Sequence, residues 1–406
     1  MRIRSSALTA ALAVTALALT GCSGAGADDA DAAGGGPYRV LVTGGISGQG
    51  ALAANAQTSV LAAKASADAV NRAGGVGGRQ VEITVVDDAG DATTAVSTLR
   101  EAIASGKKPD LFLNSGPSTI TTATLPILAQ NKILSFNIGP TEDSANPEKY
   151  PLNFDLASGP SENAETIARY VKGKGYQSVG IVHGSSAYGE VFGQAMEDAL
   201  GGEGLSSTGS EEYDTAALDM TAQLQSLKNR GTQALVVDAY GAPLGYLLAS
   251  LQRLDWNIPL VGNTSVAGTS LVSKAAPEGV LGTPATANLV MHVLSSTVYD
   301  ANDTAVNTMV ENMKAMGDIP STLILADNYD ALPLVVAAAN KAGSSSDPEA
   351  LAEALENQDA LDSAETAFSP SYHFTADSHA SKPGDEAYKF VPPSPLLNGQ
   401  YGNPSA

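Results

Sequence analysis

Hydrophobic positions along this chain fall into two alternating patterns. Short continuous apolar runs occur at 39–43, 81–86, 111–113 and 133–136. Runs of that length, bounded by Gly, Asn or Asp, read as buried strands. Between them lie segments with helical spacing. Over 55–73, Val60, Ala63, Ala67 and Val70 share one face, and Gly74 and Gly75 stop the helix. Over 93–104, Val96, Leu99 and Ile103 line one side ahead of Gly106, and a third helix is predicted over 118–130. A second series follows, with strands at 178–182, 234–237 and 259–261 and helices at 161–172, 188–200, 217–230 and 243–254. Later helices are predicted at 305–316, 325–342 and 348–356.

Alternation of this kind implies an α/β fold of parallel sheets with helices on both faces. Two series imply two doubly wound lobes, which suits a body too long for one hydrophobic core. In such sheets ligands sit beyond the carboxyl ends of the strands. That rule selects the loops 44–50, 87–91, 114–119, 137–142, 183–189, 238–242 and 262–265, all rich in Gly, Ser, Thr, Asn or Tyr. Such residues donate hydrogen bonds or allow the backbone close to a ligand.

The first 37 residues follow neither pattern. Arg2 and Arg4 precede an apolar stretch over 7–19, and Leu19, Thr20, Gly21 and Cys22 close it. A basic segment, a short apolar segment and a small-residue site make an export signal over 1–21, and the apolar stretch is too short to span a bilayer. The small pair before Cys22 resembles the bacterial lipobox, in which the cysteine is lipidated and becomes the first mature residue. The alternative is an ordinary secretory signal that contains a cysteine. Between Cys22 and Pro37 the chain is Gly, Ala, Ser and Asp with little to build a core, and residues 22–37 read as a flexible tether. Cys22 is the sole cysteine, so no internal disulfide is expected. The net charge of −21 becomes more negative by two once the signal is removed. That balance argues against nucleic-acid partners and against a polybasic membrane patch.

Signals for catalysis are weak. The four histidines, His183, His292, His373 and His379, show no helical metal-ligand spacing, and neither a Gly-x-Ser-x-Gly elbow nor a Walker phosphate loop occurs. Gly48-x-Gly50-x-x-Ala53 mimics a dinucleotide fingerprint, but the next strand ends at Asp87, later than that motif requires. It reads as a Gly-rich ligand loop, and no cofactor or metal is expected. Ser118 and Thr119 open a helix after a strand, where free N–H groups favour an anion such as a carboxylate. The competing reading is that Ser118 merely caps the helix. Tyr188 and Tyr240 follow strand ends and either flank an apolar ligand part or are half-exposed loop residues. Asp238 either pairs with a ligand amine or caps the next helix.

Four collinear stretches carry a family resemblance. They are Ala73-Gly74-Gly75-Val76-Gly77-Gly78-Arg79-Gln80-Val81-Glu82-Ile83 with Asp87 and Asp88; residues 125–134 leading into Gly139-Pro140-Thr141; Ala187-Tyr188-Gly189; and residues 327–332, including Tyr329, Ala331 and Leu332. Together they resemble the extracytoplasmic solute-binding proteins of branched-chain amino acid-type ABC importers, the type I periplasmic binding proteins. The resemblance implies two lobes joined by a three-segment hinge, with crossovers near 155–157, 282–286 and 387–391. The first lobe is then 38–156 plus 284–386, and the second 157–283 plus 387–406. It also implies carboxylate binding at Ser118 and Thr119, a second anchoring loop at Pro140 and Thr141, and second-lobe contacts at Tyr188 and Tyr240. One departure stands out. Where amino-acid binders of this family place an acid for the ligand ammonium, this chain has Asn263, Thr264 and Ser265, of which Thr264 is the candidate ligand contact. A buried ammonium without an opposite charge is costly. Either Asp238 replaces that acid, or the ligand is not an α-amino acid.

The expectation is a non-enzymatic, lipid-anchored extracytoplasmic receptor that captures a small polar or carboxylate-bearing solute (an amino acid, aromatic acid or amide) and hands it to an ABC permease. A sensor of the same fold that signals ligand occupancy to a partner protein is the alternative. If Cys22 is the anchor, Cys22→Ala releases the protein from the membrane fraction into the soluble fraction on cell fractionation; retention of the variant in the membrane contradicts this.

Overall fold

Strands buried on both faces need near-continuous apolar sequence, and the observed sheets follow that rule. The computed structural model describes residues 36–48, 50–369 and 372–402; the export signal, Cys22 and most of the tether lie outside the described residues. The chain opens with β1 (Tyr38–Gly44), α1 (Gly50–Arg72), β2 (Val81–Asp87), α2 (Ala92–Ala104), β3 (Leu111–Asn114), α3 (Ser118–Gln130), β4 (Leu134–Asn137) and β5 (Asn153–Asp155). These strands form a parallel sheet in the order β2-β1-β3-β4-β5. The second series is α4 (Pro160–Gly173), β6 (Ser178–Gly184), α5 (Ala187–Gly202), β7 (Ser206–Tyr213), α6 (Thr221–Asn229), β8 (Ala234–Val237), α7 (Ala242–Arg253), β9 (Leu260–Gly262) and α8 (Thr264–Ala267). After β10 (Leu289–Leu294) come α9 (Thr304–Met316), α10 (Asn328–Ala342), α11 (Pro348–Leu355), α12 (Gln358–Asp362), β11 (Tyr388–Val391) and a small hairpin of β12 (Leu396–Leu397) and β13 (Gln400–Tyr401). The second sheet runs β11-β10-β9-β8-β6-β7, parallel except for β11 against β10. The α/β architecture with two parallel sheets is therefore as the alternation predicts.

The pattern and the structure part company in the strands it passes over. β7 reads Ser-Ser-Thr-Gly-Ser-Glu-Glu-Tyr, an edge strand that is mostly exposed and carries no apolar run. β10 was placed with the first lobe by the expected boundary at 283/284, yet it pairs with β9 and β11 in the second sheet. The second crossover therefore follows Leu294 rather than falling near 282–286, where the chain makes a short 3₁₀ turn (Pro284–Thr286). The cause is register: Leu289 and Met291 pair beside Leu260 and Gly262, which buries them in the second core.

Each lobe has its own core. The first gathers β1, β3, β4 and β5 against α1, α10 and α11, with Val60, Ala63, Ala67 and Val70 of α1 facing it as their spacing predicts. Phe154 is enclosed by Phe136, Phe374 and His379, at ring-centroid distances of 5.7, 5.0 and 3.9 Å. Stacked and edge-on pairs of this kind add about 0.5–1.5 kcal/mol each beyond the buried area.

The glycine-rich stretch after α1 has a structural explanation. Gly75 has φ of +81°, and a Cβ there would lie 2.1 Å from the Arg79 carbonyl oxygen. Only glycine lets the chain reverse so that Val76 N–H donates to Arg79 O at 2.9 Å and Arg79 N–H returns a bond at 3.0 Å. The turn delivers Arg79, 9% exposed, to Asp110 (2.9 and 3.2 Å), to the carbonyls of Pro37 (2.8 Å) and Ser345 (3.0 Å), and over the Tyr38 ring at 5.1 Å. One guanidinium thus ties the start of β1 to the β3 entry and to the segment before α11. Breaking a mostly buried pair leaves an uncompensated charge and costs about 3–5 kcal/mol. Arg79→Ala is expected to lower the urea midpoint by a corresponding amount at unchanged slope; a midpoint within 0.5 kcal/mol-equivalent of wild type, on the order of a neutral surface change, contradicts this.

Three chain crossings join the lobes: after β5, after β10 and before β11. They meet at one side chain. Tyr388 pairs with Leu294 in the β10–β11 ladder, stacks on His292 at 4.4 Å and donates its hydroxyl proton to Ser158 Oγ at 2.6 Å. At the first crossing, Asp155 accepts from Ser144 Oγ at 2.6 Å, from Asn153 Nδ2 at 3.2 Å and from Asn137. Burial pushes its carboxyl up to about 7 against the opposing pull of these bonds.

Candidate functional site

Strand β3 delivers its loop through Asn114. Its Oδ1 accepts from Gly116 N–H at 2.7 Å and its Nδ2 donates to Thr121 Oγ1 at 2.8 Å. From below, Asn328 of α10 donates to the Asn114 carbonyl (3.2 Å), Ser115 Oγ (2.9 Å) and Ser59 Oγ (3.0 Å). The loop ends at Pro117, which occupies the cap position of α3 and offers no side-chain cap bond. Ser118 is the first helical residue, so it does not cap the helix, and its first-turn N–H groups lack a side-chain acceptor from Pro117. Ser118 is buried; Thr119 is exposed. The β4 loop lies alongside: a Cβ on Gly139 would come within 2.7 Å of the Ser118 nitrogen. Pro140 is buried beside it. Thr141 turns elsewhere, exchanging bonds with Ser144 at 2.8 and 3.1 Å and so bracing the Asp155 network.

In the second lobe, Asp238 sits just past β8 and is 4% exposed. Asn263 Nδ2 donates to its Oδ1 at 2.8 Å, and Gly184 N–H approaches Oδ2 at 3.5 Å. Asp238 does not cap α7, whose cap is Gly241 at φ +75°, with its N–H given to Thr269 Oγ1 at 2.9 Å. Asn263 also accepts from the N–H groups of Ser265 and Val266, so one amide orients the acid and caps α8. Tyr188 lies beside Asp238; its hydroxyl accepts from Asn163 at 2.8 Å and bonds with the Thr264 side chain. Burial, and then the charge of Asp238, raise its phenol well above the ordinary range. Tyr240 accepts from Asn55 at 2.7 Å, and burial pushes its phenol up to about 12. Asn55 belongs to α1 of the first lobe. Its other amide hydrogen goes to the Gly268 carbonyl at 2.8 Å, and its oxygen accepts from Ser321. Both tyrosines thus have their hydroxyls engaged by the protein and are half-buried.

The nominated residues fall into two groups on two lobes, Ser118 and Pro140 on the first, Tyr188, Asp238 and Thr264 on the second. Helix α3, which carries Ser118, and helix α5, which carries Tyr188, approach one another, and Tyr240 is bonded across the lobes. Thr141 serves the turn and Thr119 stands at the exposed rim. Sequence reading missed Asn55 and Asn163, the amides that position the tyrosines. A faint signal existed for Asn55, an amide among alanines on the buried face of α1, but that face also carries buried Thr58, Ser59 and Ser66. A separate cavity of about 340 Å³ is lined by Glu142, Asn146, Glu148, Asp377 and Ser378, and by none of the nominated residues. Among the described residues no group of three or more His, Cys, Asp or Glu is placed to hold a metal ion.

Two doubly wound lobes, three crossings and polar loops at strand ends on both sides define a two-lobed ligand-binding protein. The periplasmic binding protein family matches residues 37–385, and the chain belongs to it. Such a protein binds rather than transforms its solute, and works outside the cytoplasm. The chain is 22% identical to a Leu/Ile/Val-binding protein homologue of Brucella melitensis over 74% of this chain and 79% of the relative. It is 25% identical to the Leu/Ile/Val-binding protein of Escherichia coli, over 78% and 82% of the two chains. Among solved structures it is similar to a type 1 periplasmic binding protein from Bordetella pertussis, with TM-score 0.72, 21% identity and coverage of 87% and 96%. A solute-binding protein of an ABC transporter from Rhodopseudomonas palustris, solved with 3,4-dihydroxybenzoic acid, has TM-score 0.61 at 17% identity, over 78% and 84%.

Asn263→Asp puts a second carboxylate 2.8 Å from Asp238 while keeping the α8 cap. Like charges that close share a proton, so one carboxyl of the pair is raised in the folded state. Stability is then present below that raised value and lost as pH rises through it. The variant is expected to melt close to wild type at pH 5 and to lose about 2–3 kcal/mol relative to it at pH 8. A difference that does not grow with pH contradicts the assignment.

Proposed function

We propose that this protein captures a small carboxylate-bearing solute lacking a buried α-ammonium, such as an aromatic or aliphatic acid, and presents it to an ABC permease from a lipid anchor on Cys22. The observation that carries this reading is the pairing of an uncapped α3 N-terminus at Ser118 with a second-lobe acid already committed to Asn263. Helix N-terminal N–H groups and a serine hydroxyl suit a carboxylate. Asp238 supports the opposing wall through Asn263 and Gly184 rather than waiting for an ammonium. The ring surfaces of Tyr188 and Tyr240, with their hydroxyls held by Asn163 and Asn55, suit a flat or apolar ligand body. The Rhodopseudomonas relative solved with 3,4-dihydroxybenzoic acid supports an aromatic acid, and the Leu/Ile/Val-binding relatives support carboxylate capture in general.

Thermal-shift screening of hydroxybenzoates, aliphatic acids, amides and amino acids, followed by calorimetry, tests the reading, because a ligand that binds only the folded state raises the melting point. An aromatic or aliphatic acid is expected to bind, and leucine, isoleucine and valine to bind poorly. Ser118→Ala combined with Thr119→Ala is expected to weaken the acid by about 1–3 kcal/mol through loss of hydrogen bonds to a charged group. Tight leucine binding at neutral pH, or unchanged acid affinity in the double variant, contradicts it.

A further inference from the structure

The seam between the lobes contains an acid that no part of solute binding uses. Asp327 opens α10, is wholly buried, and neither carboxyl oxygen has a hydrogen-bond partner among the described residues. Although it holds the cap position of α10, its side chain makes no cap bond. The next residue, Asn328, pins α10 to the first lobe through Ser59, Asn114 and Ser115. Its other neighbours, Ala326 and Tyr329, belong to a cluster that also contains Ala62 and Ala65 of α1, Leu294 of β10 and Tyr388 of β11. Asp327 therefore lies where the first lobe's helices meet the crossings.

The groups acting on Asp327 are acidic or phenolic. Asp330, on the same helix, accepts from the N–H groups of Ala367, Phe368 and Ser369 and from the Tyr372 hydroxyl, so its charge is stabilised, with its carboxyl held near 6 by burial against those bonds. Tyr372 faces both acids, and Tyr388 faces Asp327 from β11. Beyond Tyr388 stand Glu162, Asp385 and the buried His292, whose imidazole burial holds neutral with a value near 3. An ionised Asp327 here has no side-chain donor and, among the described residues, no facing cation to replace water, which strongly disfavours the charge.

We propose that Asp327 is a proton-dependent lock on the hinge: while its carboxyl is protonated the lobes keep the arrangement described above, and loss of the proton loosens the seam. Burial, then the charge of Asp330, raise its carboxyl well above the ordinary range. The sign follows by linkage. The arrangement that buries the acid binds more protons than one that wets it, so raising pH favours the loosened form. Hinge motion supplies the wetting, since β11 and α10 belong to different lobes and shift relative to one another when the lobes part.

The test is pulsed electron resonance between spin labels at Ser97→Cys on α2 and Asp198→Cys on α5, in a Cys22→Ala background of the mature chain without added solute. Across pH 5 to 9 the short-distance population is expected to fall several-fold, and in Asp327→Asn it is expected to hold steady. Asp155→Asn, which alters the other buried acid at the crossings, is expected to keep the response. A flat profile in the labelled parent overturns the proposal, as does an unchanged slope in Asp327→Asn or a slope abolished by Asp155→Asn. Should Asp327→Asn fail to fold, Asp327→Ser is read in the same way, with a slope equal to the parent's overturning the proposal.

Discussion

The hydroxyl of Tyr388 donates to Ser158 across the junction where the chain passes three times between lobes. The same ring stacks on His292, and the same backbone pairs with Leu294. One residue thereby ties together the segment leaving β5, the segment leaving β10 and the strand β11. Two separately cored lobes linked by flexible crossings would have no defined relation to each other. The shared aromatic anchor at Tyr388 gives them one fixed relation in this structure. Binding between the lobes depends on this constraint, because a solute can be gripped from two sides only if those sides reliably face one another.

Amide side chains organise the rest of the cleft. Asn114 shapes the loop before α3, Asn263 orients Asp238, Asn163 holds Tyr188, and Asn55 holds Tyr240 across the lobes. An amide both donates and accepts without carrying charge, so it fixes geometry in a buried setting at lower desolvation cost than an ion. The buried Asp238 of the second lobe is therefore held by neutral partners. At the N-terminus of α3, by contrast, Pro117 offers no side-chain cap bond, and the proposed carboxylate site is placed there.

Much of the fold is legible in the sequence because parallel strands buried on both faces are near-continuously apolar, as in β8 and the centres of β3 and β6. The same logic hides β7, an exposed edge whose polar residues obey no such rule, and it gives no boundary for β10, whose sheet is decided by pairing with Leu260 rather than by composition. The strand-end rule nominates loops but not the direction each side chain takes. Thr141 looks like Ser118 in sequence, yet it turns to Ser144 because Asp155 needs that serine as a donor. Asn55 and Asn163 stayed hidden because their roles arise from partners some 185 and 25 residues away, which periodicity does not register.

The central claim is that both lobes touch one solute in the space between them. Hydrogen exchange measured with and without a compound that raises the melting point tests it most directly. The account predicts added protection at 116–120 of the first lobe and at 184–189 and 238–241 of the second, appearing together at the same ligand concentration. Protection confined to one lobe, or centred on the cavity beside Glu142 and Asp377, would contradict it.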